Sequence, residues 1–239
     1  ALPGALGSDL AFGMLPRGTV NVWAREVGIP ADPARAVRLL WDGEYRRIDL
    51  GRAGDRYFLL MAGVGFDADV AARVTRPEKR RWGPLAYIGR GLVTALRWPR
   101  QRMWLQLDER RLRRRLLFVV VGNTRLYGGV VNITQHAVAD DGVLDVCLFG
   151  GDGLAEKLAH LWRVATRRHT DHRTVEYYQV RRLTLVTRPR VAVQVDGDTI
   201  GSTPMTFEAV PGALRVVVPR RQSNSLFSTP PEGRVVGSA

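Results

Sequence analysis

The chain has 239 residues, 45% hydrophobic and 8% aromatic, with 36 basic side chains against 23 acidic ones and a net charge of +13. That is enough apolar material for one large domain or two unequal ones, each with a core, and it excludes a natively unfolded chain. No apolar run approaches the roughly 18 residues of a membrane span, so the chain is expected to be soluble or at most peripheral, and its charge favours nucleotides, acidic lipid surfaces or nucleic acid. The single cysteine, Cys147, lies within "VLDVCLF" and reads as a small buried hydrophobe in a reducing, cytoplasmic setting.

In chain order, Gly18 and Thr19 in "LPRGTVN" precede a helix-like segment. Free amides and the positive end of a helix dipole favour an anion there, although Thr19 or Asn21 acting as a plain helix cap explains the same residues. A short helix follows, with Asp32 as N-cap, Pro33 at the first position and a stop at Gly43. Strand patterns begin at Ile48, and the run from Met103 to Asn123 reads as two strands joined by a charged turn. Leu85, Ile88, Leu92, Ala95 and Leu96 share one helical stripe, and Leu154, Leu158, Leu161, Trp162 and Ala165 share another, both expected to pack on a core. The last third alternates again, and residues 221–239 read as a disordered tail.

"GVGFDADV", "GNTRLYGG", "ADDGVLDV" and "VDGD" each set Gly or Asp beside a strand-like run. Together with "LPRGTVN", and in this order, they resemble the diacylglycerol kinase catalytic family, particularly its bacterial soluble lipid kinases, which are related to sphingosine kinases and more distantly to NAD kinases. The resemblance implies an α+β fold: an α/β nucleotide-binding domain, of which residues 1–46 are a remnant, and a larger β-sandwich domain with peripheral helices over residues 47–220. The family's glycine-rich phosphate loop is not in the sequence, so an N-terminal part is expected to be missing and these residues alone are expected to be inactive. "GGDGL", at residues 150–154, follows rather than precedes the G-T-x-N segment and reads as an ordinary strand-to-helix turn.

Carried over by resemblance, Thr19 is the nucleotide-contacting threonine, supported by Gly18 and Asn21, and Asp49 belongs to a magnesium–water network; without the family, Asp49 reads as a solvated strand-edge acid. Asp141, with the main-chain carbonyls of Val138 and Val143, matches a structural magnesium (Mg2+) site, a sensible oxygen donor set for a hard cation. Asp198 matches the general base for the lipid hydroxyl. Four positions depart from the family pattern: Val22 replaces an acid, Val130 a glycine, Gln135 a proline and Asp198 a glutamate. The implied activity is ATP-dependent phosphorylation of a diacylglycerol-like lipid at an anionic membrane surface, on the inner membrane face, without nucleic acid; homodimerisation stays open. A non-catalytic lipid-binding relative and a basic nucleic-acid-binding domain are the alternatives. His169, Asp171 and His172 read as a solvated turn rather than a metal site, and Arg110, Arg111, Arg113, Arg114 and Arg115 as a solvated hairpin tip or a membrane-facing charge cluster.

Overall fold

The computed structural model describes residues 6–65, 99–129, 131–151, 172–220 and 226–235, and between 151 and 172 only residues 156, 159, 160, 162, 163, 166 and 168–170. Two short helices lead. α1 (Val22–Val27) stops at Gly28, whose φ of 77° an L side chain resists. α2 (Pro33–Asp42) starts as the sequence predicts, with the Asp32 carboxylate accepting the Arg35 amide at 2.8 Å and Pro33 in the first turn.

The strands are β1 (Ala11–Phe12), β2 (Glu44–Ala53), β3 (Arg56–Phe58), β4 (Met61–Gly65), β5 (Gln101–Leu107), β6 (Arg110–Leu116), β7 (Phe118–Gly122), β8 (Leu126–Tyr127), β9 (Val131–Asn132), β10 (Leu144–Phe149), β11 (Val175–Val180), β12 (Arg182–Arg188), β13 (Ala192–Val195), β14 (Asp198–Ser202), β15 (Met205–Val218) and β16 (Gly233–Arg234). Among the described residues they form one sheet in the order β16-β2-β15-β12-β5-β6, with β1 added to β15 and β3 to β2. A second sheet runs β11-β10-β7-β4-β13-β14, and β8 pairs with β9. The body begins at Glu44 rather than Ile48, and β2 runs unbroken through residues 46 and 47.

Alternation explains the layering. Met103, Leu105, Leu183, Leu185 and Phe207 of the first sheet face Val119, Val121, Leu144, Val146 and Val193 of the second, all buried in one cluster. This is the expected β-sandwich. β10 is buried along its whole length because its other face, with Cys147 and Phe149, enters a further cluster beneath Ile133. Gly51 has no alternative at its place, since a Cβ there would fall inside the Phe58 ring.

Three expectations need correction. The arginine run is not a hairpin tip: Asp108 and Glu109 form the turn, and the arginines line the edge strand β6, where charge discourages edge-to-edge pairing. Trp162 is 72% exposed, not packed, while the rest of its stripe and the stripe from Leu85 to Leu96 lie outside the described residues.

The third concerns the tail, whose residues 226–235 are ordered against the body. Leu226 is fully buried in a cluster with Trp23, Val27, Ala36, Ile48, Leu50 and Val216, which holds α1 and α2 on the outer face of the β2–β15 half of the first sheet. Asp140 accepts the Ser228 and Thr229 amides and hydroxyls at 2.5–2.9 Å. Glu232 bonds Arg47 and Arg215, and β16 extends β2. Composition concealed this because one buried leucine and a few capped polar groups do the anchoring. Leu226→Ala is therefore expected to lower the unfolding free energy by about 3 kcal/mol, as for other buried leucines; a urea denaturation curve matching that of the parent would mean the segment does not pack.

Candidate functional site

The site is assembled around residues 59–61, the link from β3 into β4. Three successive amides there, of Leu59, Leu60 and Met61, donate to the Asp196 carboxylate at 2.7, 2.9 and 3.0 Å. Asp196 and Gly197, with φ of 47° and 92°, make the two-residue turn of the β13–β14 hairpin, a pairing of signs typical of a type I′ turn. The Gln194 side-chain oxygen receives the Gly197 amide at 2.7 Å. Asp198 is the next residue, exposed, at the start of β14. "VDGD" is thus a tight hairpin turn, and the hairpin presents Asp198 at its mouth.

The carbonyl side of the same link is taken by Asn123. Its amide and that of Thr124 donate to the Leu60 carbonyl at 2.9 and 3.2 Å. Its side-chain amide donates to the carbonyls of Leu59 and Asp49 at 3.0 and 2.9 Å. Beyond Asn123 the loop meets the N-terminal segment: Glu26 accepts the Leu126 amide at 2.7 Å, Arg25 donates to the Gly129 carbonyl at 3.2 Å, and a Cβ on Gly129 would press against Val20. Glu26 is buried; desolvation raises its pKa, opposed by the Leu126 amide and the charge of Arg125.

The G-T-x-N stretch behaves differently from a simple cap. Asn21 occupies the N-cap position with a left-handed φ of 50° and makes no side-chain cap. Its side chain turns back instead, accepting the Gly18 amide at 2.8 Å and donating to the Gly18 carbonyl at 2.7 Å. Gly18 and Thr19 are exposed. The residues that precede α1 form a closed turn, with the Thr19 hydroxyl at the surface.

Asp49 is only 2% exposed, which overturns its reading as a solvated edge acid. Its two oxygens accept the Gly142 and Gly212 amides at 2.6 and 2.8 Å, tying the "ADDG" loop and the β15 irregularity to β2. Desolvation raises its pKa against those two bonds, and the charge of Asp140 adds to the rise. Asp141 is raised too, first by desolvation, then by Asp49 and Asp140, against the Val143 amide that its carboxylate accepts at 3.1 Å. Asp140 is held low because its bonds from Ser228 and Thr229 outweigh desolvation. Three carboxylates thus sit close enough to repel one another, and Asp141 is the exposed one, in the same loop as Val138 and Val143. An exposed carboxylate in a loop with main-chain carbonyls is oxygen chemistry of the kind a hard metal ion takes. Among the described residues no three His, Cys, Asp or Glu side chains gather as a metal centre, so such a site would rely on main-chain oxygens.

Two of the histidines are buried against backbone carbonyls. His169 is fully buried, with its Nε2 2.6 Å from the Ile133 carbonyl, so it does not belong to a solvated turn; Asp171 lies outside the described residues. His160 reaches the Gly150 carbonyl at 2.8 Å, and the Cys147 thiol is buried against the Ile133 carbonyl.

Sequence reasoning passed over Asn123, Glu26, Asp196 and Asp145. A carboxylate inside the apolar run "VLDVCLF" was the available signal for the last. Asp145 is 1% exposed and accepts the Tyr177 hydroxyl at 2.6 Å and the Gln179 amide at 3.2 Å, while its Oδ2 has no partner among the described residues. Desolvation dominates these bonds and pushes its pKa up to about 6. Below the ordinary value of 3.8 both folded and unfolded states hold the proton; between there and about 6 only the folded state does, so stability falls as pH rises through that window. Urea titrations should show the stability of the parent, relative to Asp145→Asn, declining by roughly 2–3 kcal/mol from pH 4 to pH 7, because each pH unit crossed with the proton held only in the folded state costs on the order of 1.4 kcal/mol. A gap that does not change with pH would show that the carboxyl ionises normally.

Comparison with known proteins places this geometry in context. Residues 1–53 match the family model of the diacylglycerol kinase catalytic domain, and residues 61–218 match that of the YegS C-terminal NAD kinase beta sandwich-like domain. The chain is similar to the diacylglycerol kinase of Mycobacterium tuberculosis (strain H37Rv), 32% identical over 92% of this chain and 73% of the relative. Similarity to the diacylglycerol kinase of Staphylococcus carnosus is 26% over 90% and 70%. A crystal structure of a diacylglycerol kinase from Bacillus anthracis superposes with a TM-score of 0.68 at 21% identity, covering 86% of this chain and 68% of the other, which shows a shared fold.

Proposed function

The chain belongs to the diacylglycerol kinase family, and from that membership we propose that it is an ATP-dependent lipid kinase, transferring the γ-phosphoryl group to the hydroxyl of a diacylglycerol-like lipid. The observation that carries this reading is the hub at residues 59–61, which ties the D-G-D hairpin to the loop of Asn123 and, through it, to Asp49 and the segment after Thr19. Asp196 and Asn123, in two of the motifs, and Asp49 are joined there by a short path of hydrogen bonds. Residues ahead of β2 would belong to the nucleotide-binding part and the strands from Glu44 onward to the sandwich part.

In this mechanism Asp198 takes the proton of the lipid hydroxyl as its oxygen attacks the γ-phosphorus in line, and the bond from that phosphorus to the bridging oxygen breaks to release ADP. Thr19 and the Gly18 turn would contact the nucleotide. Magnesium, when bound, supplies charge neutralisation on phosphate oxygens and, at Asp141 with the carbonyls of Val138 and Val143, rigidity of the loop. Asp49 serves that loop by holding Gly142, since both of its oxygens already accept backbone amides. Among the described residues no helix is long and apolar enough to cross a membrane, and a lipid acceptor would be met by surface contact.

Val22 in place of an acid and the short Asp198 favour a second reading, a lipid-binding relative without transfer. The gene product assayed with ATP, magnesium and diacylglycerol in mixed micelles decides between them. Phosphatidate formation is expected, falling by at least about 100-fold in kcat in Asp198→Ala, the usual scale for loss of a general base, and retained in Asp198→Glu. Lipid binding without phosphate transfer in the parent protein would leave the second reading standing.

A further inference from the structure

The outer face of the first sheet is divided. Its β2–β15 half lies under α1, α2 and Leu226, whereas on the β12–β5–β6 half the strand register builds a grid of three rows. Arg188, Arg102 and Arg115 stand directly opposite one another; the next row is Val186, Trp104 and Arg113; the third is Thr184, Gln106 and Arg111. The five arginines are exposed, and Trp104 and Val186 are half-buried. The Arg113 guanidinium lies 5.6 Å from the centroid of the Trp104 ring.

No carboxylate occurs in the grid. None of its five arginines joins an ion pair among the described residues, while neighbouring arginines outside it do: Arg114, on the inner face of β6, pairs with Glu176, and Arg182 with Glu208. Side chains on such a face are spaced about 5 Å across strands and about 7 Å along them. Both distances lie inside a Debye length of about 8 Å, so the charges reinforce one another's field and repel unless an extended anion meets them.

We infer that this arginine grid is a docking surface for an anionic bilayer. The inference rests on the reading of the chain as a lipid kinase, whose acceptor is dissolved in the membrane. A sheet face is broad and shallow, suited to a plane of headgroups. Single-stranded nucleic acid is gripped by aromatic rings free to stack on bases, and the one aromatic here is half-buried with a guanidinium over it. Guanidinium groups pair with lipid phosphates in bidentate fashion, and a tryptophan between them is at home at headgroup depth.

Sedimentation with vesicles of phosphatidylcholine, alone or mixed equally with phosphatidylglycerol, tests this. The protein should partition to the mixed vesicles in a salt-sensitive way, and the triple variant Arg102→Gln, Arg113→Gln, Arg115→Gln should partition roughly 100-fold less, at about fivefold per charge. The corresponding lysine variants should keep most of the binding. Equal partitioning of parent and triple variant, with both folded by thermal unfolding, would overturn the inference. So would loss of RNA oligonucleotide binding in the triple variant when the parent shows no vesicle binding. Phosphorylation of a monomeric short-chain diacylglycerol by the whole gene product, run in parallel, should survive when that product carries the three substitutions. Vesicle binding by a whole gene product that phosphorylates no lipid would instead count against the kinase reading while leaving the docking surface in place.

Discussion

Everything at the candidate site depends on one carboxylate receiving three consecutive backbone amides. A link such as residues 59–61 cannot pair with a neighbouring strand along its whole length, and unpaired amides beside a sandwich core are costly. Asp196 satisfies all three from a hairpin turn on a different strand. Because the acceptor sits one residue into the turn, the position of Asp198 is fixed relative to β4 rather than left to a free loop. Asn123 then uses the carbonyls of the same link, so donors and acceptors of one short segment orient two loops.

The second constraint is electrostatic. Asp49, Asp140 and Asp141 lie near one another, and each is handled differently: Asp49 by amides from two loops, Asp140 by the C-terminal segment, Asp141 by exposure and its own loop. The C-terminal segment is therefore part of the site's support. It supplies the donors around Asp140 and buries Leu226 beneath the helices that carry the G-T-x-N turn.

What could be read from the sequence follows from locality. The sandwich was legible because alternation over β5, β12 and β13 records burial on one face, and the Asp-Gly turn because only a few residues accept two positive φ values. The α2 cap was legible for the same reason: Asp32, Pro33 and Gly43 each act on the backbone within one helical turn of their own position. Asp49 was misread without the family because its partners are 93 and 163 residues away. The tail was misread because its anchoring depends on Asp140, 88 residues earlier, rather than on its own composition. The arginines of β6 misled in another way: a strand whose outer face is charged loses its hydrophobic alternation, and only the pairing with β5 reveals it.

The same rigidity bears on the shorter acid at position 198. An aspartate reaches about 1–1.5 Å less than a glutamate, so the backbone must sit closer to the lipid hydroxyl if proton transfer is to occur. That shift is not available to the turn by itself. Asp196 ties it to residues 59–61, Gln194 ties Gly197 to β13, and residues 59–61 are tied in turn to Asn123. Any inward placement of Asp198 has to be a property of the whole hub, set when the sandwich folds. Under the proposed reading such an arrangement would suit catalysis, because a base held by a rigid frame keeps its geometry better than one on a mobile loop.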